Sequence, residues 1–481
     1  MVRPRVELRG YERMASMDPR VCRKIVHVMR VLGPSIESLL PEAVARAFNR
    51  HPRMRALQLR DEFATAEIHE PVTVDDVHRM RLLRIRTAED GGSWETHVER
   101  ECEVPIDRFS EFPFFLEAWI DAAKQETRLM MYSDHFLSDG MSGLVALNEV
   151  LVHVELLTAE TAAPLTELPL RPSLYSAWLD SMPFSKSLGE WLVWLLGRKF
   201  FKSDVEKFKP LLPPRANQKD FKIPVELNPT YALFGEGTAE NAKRILAACK
   251  EHGVTYTGAL VAAVALAHYH AAKKHGVSVD DKHFKVSMGL DMNMRQRLPE
   301  PLTENPVGYY VVSKTLDRFA SDGIDLATAR FWDVARVARA DMQTMLGGGL
   351  SLALSTIFLD QVLHSQAKQE DLGFSIPFTL LGDTGISSIG RYPFKKTFDV
   401  RGETLRVDSV HYYNSMPTLS GASGVYVSSV DRFCYALAHK HEDDVGRTLM
   451  DAFVGFAEGI ADVGENDTML SVAQMIAARL P

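Results

Sequence analysis

Apolar and polar residues alternate over KIVHVMRVLG (24–33), the two-residue period of a strand with one buried face. The period lengthens in GPSIESLLPEAVARAFNRHP, where apolar residues recur at helical spacing. Ser35 stands at the N-cap position and His51-Pro52 stops the helix. LQLRDEF and MRLLRIRTAED read as further strands. TRLMMYSDH (127–135) is an apolar run ending in polar residues, again a strand, and GMSGLVALNEVLVHVELL (140–157) returns to a helix. The polar residues between the last two form a strand-to-helix loop, a place where side chains emerge from a rigid scaffold.

The pattern breaks over 158–235. Prolines are scattered through TAAPLTELPLRPS and KPLLPPRANQ, which read as connecting segments. Between them LGEWLVWLLGRKFFK (188–202) is very apolar, carries Trp191 and Trp194, and ends in Arg198, Lys199 and Lys202. Such a segment either rests on a membrane surface or forms a helix packed on the protein's own core or crossing between domains; its length favours burial. Helical periodicity resumes in TAENAKRILAACKEHG and in VTYTGALVAAVALAHYHAAKKHG, the second opened by a Thr cap and apolar on nearly every side. HFKVSMGLDM (283–292) reads as a strand, ARFWDVARVARADMQTML as a helix, FSIPFTLLGD through GVYVSSV as strands, and DDVGRTLMDAFVGFAEGIADV as a closing helix. Two halves that each mix sheet and helix predict a bilobed α/β protein with a cleft between lobes. The expected division is an N-terminal lobe over 1–175, a linker over 176–235 and a C-terminal lobe over 236–481. No solenoid-like repeat is present.

Composition adds exclusions. In 481 residues, 55 Lys and Arg against 63 Asp and Glu leave a net charge of −8, which argues against nucleic acid as the main partner. Apolar residues make 46% and charged residues 25%, the balance of a globular chain able to build a large core without metal or disulfides. Cys22, Cys102, Cys249 and Cys434 lie far apart with no zinc-like spacing, which implies reduced, mostly buried thiols and a cytoplasmic setting. No signal-peptide pattern and no run of about 18 apolar residues occurs.

The chemistry centres on SDHFLSDGMSG (133–143). A neutral imidazole such as His135 can take a proton from an alcohol, amine or thiol. Asp139 can fold back to orient the histidine or brace the loop against a distant cation. Gly140 lets the chain turn without a side chain and leaves room for substrate. The H-x-x-x-D-G string alone does not separate a catalytic histidine from a structural one.

Further patches change the balance. AVARAFNRHPRMRA, SDHFLSDGMSG, CKEHGVTYTGALVAA, MNMRQRL (292–298) and ISSIGRYPF (386–394) occur in that order. Together they resemble the CoA-dependent acyltransferase superfamily, which includes chloramphenicol acetyltransferase, nonribosomal peptide condensation domains, wax ester synthases, polyketide-associated acyltransferases and alcohol acetyltransferases. The resemblance spans nearly the whole chain. It implies the chloramphenicol acetyltransferase-like fold: two similar lobes of mixed sheet and helix around an active-site tunnel.

By this resemblance His135 is the general base, deprotonating an acceptor hydroxyl that attacks a thioester carbonyl directly. Asp139 pairs with Arg295 to tie the catalytic loop to the second lobe, Gly140 keeps the loop tight, and Ser387 and Ser388 contact substrate or oxyanion. The first histidine of the family motif is replaced by Asp134, which could contact substrate and could raise the His135 pKa. Asn293 and Ser388 replace the Asp and Asn of the later patches, and no DFGWG motif is present, which favours the alcohol acetyltransferase and polyketide-associated branches over the plant branch. The implied substrates are an acyl-CoA and an alcohol, with no tightly bound cofactor and no metal. A carrier protein is the alternative donor, as in a stand-alone condensation domain, and a non-catalytic binding protein of the same fold is a third reading. The size permits a working monomer, cytoplasmic, with peripheral membrane contact if 188–202 lies on a bilayer.

Other features carry less. His268, His270 and His275 lack a carboxylate or cysteine at ligand spacing and read as a solvated basic helix end. LGGGL (346–350) lacks the parts of a phosphate loop and reads as a turn or hinge. GDTGISSIG is no dinucleotide fingerprint, and no G-x-S-x-G is present.

Overall fold

The computed structural model describes residues 3–16, 18, 21–87, 92–159, 165–222, 225–348, 350–361 and 375–480. Its strands are β1 Arg5–Glu7, β2 Lys24–Leu32, β3 Ala56–Gln58, β4 Thr65–Ile68, β5 Leu83–Thr87, β6 Phe114–Asp121, β7 Glu126–Asp134, β8 Tyr231–Glu236, β9 Met288–Asn293, β10 Val311–Thr315, β11 Leu380–Arg391, β12 Thr397–Val400, β13 Glu403–Asn414, β14 Ser420–Ser429 and β15 Phe433–His439. They form two six-stranded sheets, β12-β13-β2-β7-β6-β5 and β10-β9-β11-β14-β15-β8, and a small sheet β1-β4-β3.

The sheets do not divide where the sequence does. β11 and β14 pair in parallel in the second sheet, and parallel neighbours need a crossover connection. Here the crossover is the hairpin β12–β13, which leaves the second sheet and pairs β13 with β2 in the first. Residues 236–481 therefore contribute to both sheets, and the hairpin stitches the halves together.

Strand alternation assigns the two faces of the first sheet. Met29, Val31, Leu129 and Met131 point to one side, into a core with the helices Leu40–Arg50 and Ser142–Thr158. Val26, Val28, Met130 and Tyr132 point to the other and meet Tyr412, Tyr426, Ala436 and Ala438 between the sheets. The largest cluster surrounds the helix Tyr256–Lys274, apolar all round and buried over almost its whole length. Thr255 caps it by accepting from the Gly258 N–H, as its sequence predicts.

Local differences have local causes. The helix Leu40–Arg50 is entered through a 3-10 turn, Glu37–Leu39, so Ser35 accepts only a 3.5 Å bond from the Glu37 N–H and does not cap it. The strand expected over LQLRDEF stops at Gln58, where a turn begins. Of MRLLRIRTAED, Leu83–Thr87 is a strand and positions 88–90 lie outside the described residues. The glycine run 346–350 spans the end of helix Phe331–Gly348 and the start of helix Leu350–Gln361, with position 349 outside the described residues. His268 is buried, its Nδ1–H donating to the Val264 carbonyl at 2.9 Å, rather than solvated. All four cysteines are buried and unpaired. No single helix among the described residues is long and apolar enough to cross a membrane.

Candidate active site

β7 ends at Asp134, and the chain turns through 135–141 before the helix Ser142–Thr158 begins. This loop reaches a cavity of about 340 Å³ that both lobes line, within the size range of small-molecule sites. Tyr11, Arg23, His135, Asp291, Tyr309 and Ser387 line it.

His135 is held in one tautomer. Its Nδ1–H donates to the Ser138 carbonyl at 2.8 Å, because a carbonyl can only accept. Nε2 therefore carries the lone pair, and no described residue donates to it. The ring packs against Tyr11 and Tyr309, with centroids at 4.9 and 5.3 Å. Burial pushes the His135 pKa down to about 4; the Ser138 carbonyl and the carboxylates of Asp139 and Asp134 offset this only in part, and Arg23 adds to it. Asp134 thus raises the pKa as expected, but desolvation of the imidazolium outweighs a neighbouring carboxylate whose charge is itself neutralised.

That neutralisation comes from Arg108, which donates to Asp134 Oδ2 from Nε at 2.6 Å and to Oδ1 from Nη2 at 3.0 Å. Both groups are buried, and Arg108 also donates to the carbonyls of Ala15 and Val21. Asp134 does not line the cavity, so it is no substrate contact. It clamps the strand end beneath His135.

Asp139 does bridge the lobes. Arg295 donates to its Oδ2 from Nη1 at 2.8 Å and to its Oδ1 from Nη2 at 3.0 Å, with both side chains buried. Asp139 also accepts from the Tyr310 N–H at 2.9 Å and from the Ser142 hydroxyl at 2.9 Å. Burial alone would raise its pKa, but the Arg295 charge and these donors hold it below the usual carboxylate range.

Gly140 lines the cavity and its carbonyl accepts from His27 Nε2 at 2.7 Å. A Cβ there would lie 3.0 Å from the Ile389 side chain and 3.4 Å from Tyr412, so any larger residue would press on both side chains. Strand alternation separates the two serines of β11. Ser387 lines the cavity, and its carbonyl accepts from the Tyr412 hydroxyl; Ser388 does not line it.

The sequence reading passed over Asp291. Met288, Leu290 and Met292 of β9 are buried in the core, which turns Asp291 to the cavity side with Gly289. Burial raises its pKa, offset in part by the neighbouring Ser313 and Ser387 hydroxyls. The alternation inside SMGLDM was the available signal. Arg23 was also missed. It donates to the Tyr11 hydroxyl at 3.2 Å and to the Leu419 carbonyl, and brings a positive charge to the cavity wall.

Among the described residues, one group outside the cavity gathers three metal-ligand types, Glu236, His411 and Cys434. Glu236 already accepts from Arg432 at 2.7 Å, and His411 Nε2 donates to the Gly235 carbonyl at 3.2 Å. The group is engaged within the protein.

No family model matches the chain. An alignment of 249 positions that covers 48% of the chain is 28% identical to a subunit of the linear gramicidin synthase of Brevibacillus parabrevis, and the match spans only 5% of that protein. Among solved structures, the trichothecene 15-O-acetyltransferase of Fusarium sporotrichioides superposes with a TM-score of 0.68 at 12% identity over 95% of both chains. The first condensation domain of the calcium-dependent antibiotic synthetase gives 0.67 at 12% identity, covering 97% of this chain and 98% of its own. Polyketide synthase associated protein 5 of Mycobacterium tuberculosis gives 0.64 at 12% identity, covering 96% and 100%. The fold is thus the one these solved structures share, the chloramphenicol acetyltransferase-like fold that the sequence resemblance implies.

Proposed function

We propose that the protein is an acyltransferase that moves an acyl group from a thioester to an acceptor hydroxyl, with His135 as the base. The observation carrying this reading is the orientation of one imidazole. Nδ1–H is committed to the Ser138 carbonyl, and Nε2 stands unprotonated at the wall of an interlobe cavity. In the proposed step the acceptor O–H gives its proton to Nε2 while its oxygen attacks the thioester carbonyl carbon. Collapse of the tetrahedral intermediate breaks the C–S bond, and the leaving thiolate takes the proton back from His135. A general base of this kind contributes about 10²–10⁴-fold to rate. Asp139 and Arg295 hold the loop without touching the reacting atoms. Ser387 offers a polar contact within the cavity.

The simplest donor is an acyl-CoA. The match to a gramicidin synthase segment and the superposition on a condensation domain favour a second reading, in which the donor sits on a carrier protein and the acceptor is an amine. Thiol release measured with free acyl-CoAs and with acyl-pantetheinyl carrier proteins, each against alcohols and amines, separates the two. Alcohol-dependent release from free CoA supports the first. Turnover confined to carrier-bound donors and amines replaces it with the second.

A further inference from the structure

The segment carrying Trp191 and Trp194 packs Phe201 inward against Phe358 but leaves its tryptophans exposed. It forms one continuous helical rod, Pro183–Leu192 and Arg198–Lys207 joined by a π turn, Val193–Gly197. Only Gly189, Val193 and Val205 are buried along it. Phe184, Leu188, Trp191 and Leu195 follow one another at four, three and four residues, the spacing of a single helix face. All four are exposed, as are Trp194 and Phe200; Phe184 is 81% and Trp194 75% accessible. Isolated exposed apolar residues are ordinary, whereas six together on one rod mark an interaction surface.

Charge decides among occupants. The whole chain carries −8, yet the rod, residues 183–207, holds five bases, Lys186, Arg198, Lys199, Lys202 and Lys207, against three acids, Glu190, Asp204 and Glu206, the last paired with Lys202. Glu190 is turned inward, accepting from the Tyr175 hydroxyl at 2.6 Å. Arg198, Lys199 and Lys202 are exposed beside the aromatic face. Trp and Phe flanked by bases suit the headgroup boundary of an anionic bilayer, where rings seat and cations meet phosphates.

The rod also adjoins the active site. A Cβ on Gly189 would lie 2.8 Å from Ile357 and 3.5 Å from Leu354, so the rod packs tightly on helix Leu350–Gln361. Thr356 and Leu359 of that helix line the cavity, as does Tyr175, the partner of Glu190. The helices forming one wall of the cavity are those on which the aromatic face is mounted.

We propose that this rod docks the protein on anionic membrane surfaces, so that one substrate of the acyl transfer is a lipid-resident molecule, a long-chain alcohol or acyl donor. The docking stands on the surface alone; the substrate class rests on the acyltransferase reading. The test uses the full chain with vesicles of phosphatidylcholine alone and with phosphatidylglycerol added, followed by co-sedimentation and tryptophan emission. Binding to the anionic vesicles with a blue-shifted emission is expected. Trp191→Ser with Trp194→Ser, and separately Arg198→Glu with Lys199→Glu, should each weaken that binding at least about tenfold. Circular dichroism and water-soluble substrate turnover should stay unchanged, since these side chains are exposed. Equal binding by wild type and both variants overturns the docking. So does a lipid-free dimer that the Trp191→Ser, Trp194→Ser chain no longer forms, which would assign the face to a second copy. Retained vesicle binding with no preference for lipid-embedded over soluble substrates leaves docking standing and removes the substrate assignment.

Discussion

Removing the Asp139 carboxylate tests how the catalytic loop is held. In Asp139→Ala, Arg295 Nη1 loses its described partner, while Nη2 keeps the Ser142 hydroxyl and the carbonyls of Pro306 and Gly308, each at 3.2 Å. A buried guanidinium is left without a counter-charge, which costs roughly 3–5 kcal/mol. The converse change is milder. In Arg295→Met, Asp139 keeps the N–H groups of Met141, Ser142 and Tyr310 and the Ser142 hydroxyl, at 3.1, 3.0, 2.9 and 2.9 Å. Its cost should fall near the low end of the same range. In the double variant no buried charge is stranded, so the loss should be smaller than the sum of the singles by more than about 1 kcal/mol. Urea unfolding followed by far-UV dichroism and tryptophan emission measures all four chains, coincidence of the two probes securing the free energies. Additivity within about 0.5 kcal/mol would refute the brace.

Other expectations concern pH and packing. Burial holds His27, His135, His268 and His441 down to about 4, and His51 and His439 to about 3. Below about pH 6.5 the unfolded chain takes up protons that the folded chain refuses. Stability is therefore full above that pH and falls as pH drops toward 4, by up to roughly 1.4 kcal/mol per unit for each such histidine, readable as a falling urea midpoint. Asp139 acts in another window: its depressed folded pKa gives stability that persists above the ordinary carboxylate pKa and is lost only at lower pH, so the acid loss near pH 5 should be unaltered in Asp139→Asn. The acid limb of kcat/KM should lie below pH 5, with a limb near 6.5 contradicting a buried His135 base. Gly143→Ala would place a Cβ 2.0 Å from His27 Nδ1, and thermal unfolding should show a loss of about 1–3 kcal/mol.

How much was legible depended on whether the signal was local. The strand, loop and helix over 127–158 follow from a change of period within one window, and the structure has them within two residues. The pairing of Asp139 with Arg295 crosses 156 positions, so periodicity could not give it; it came from resemblance. The partner of Asp134 is Arg108, and neither residue differs in the sequence from a solvated charge. Asp291 was readable from the alternation of β9, but an acid at a strand position carries no local sign of the cavity it faces. The placing of β12 and β13 in the first sheet is a tertiary outcome that no window contains. The 188–202 segment shows the opposite failure: its length suggested burial, yet Trp191, Trp194 and Phe200 face outward.

The most direct measurement is thiol release from acyl-CoAs of C2 to C16 with mixed alcohols and amines, wild type beside His135→Ala of verified fold. The account predicts alcohol-dependent release that falls by about 10²-fold or more in the variant. Equal rates in the two chains, or release that ignores the acceptor, would contradict His135 as the base.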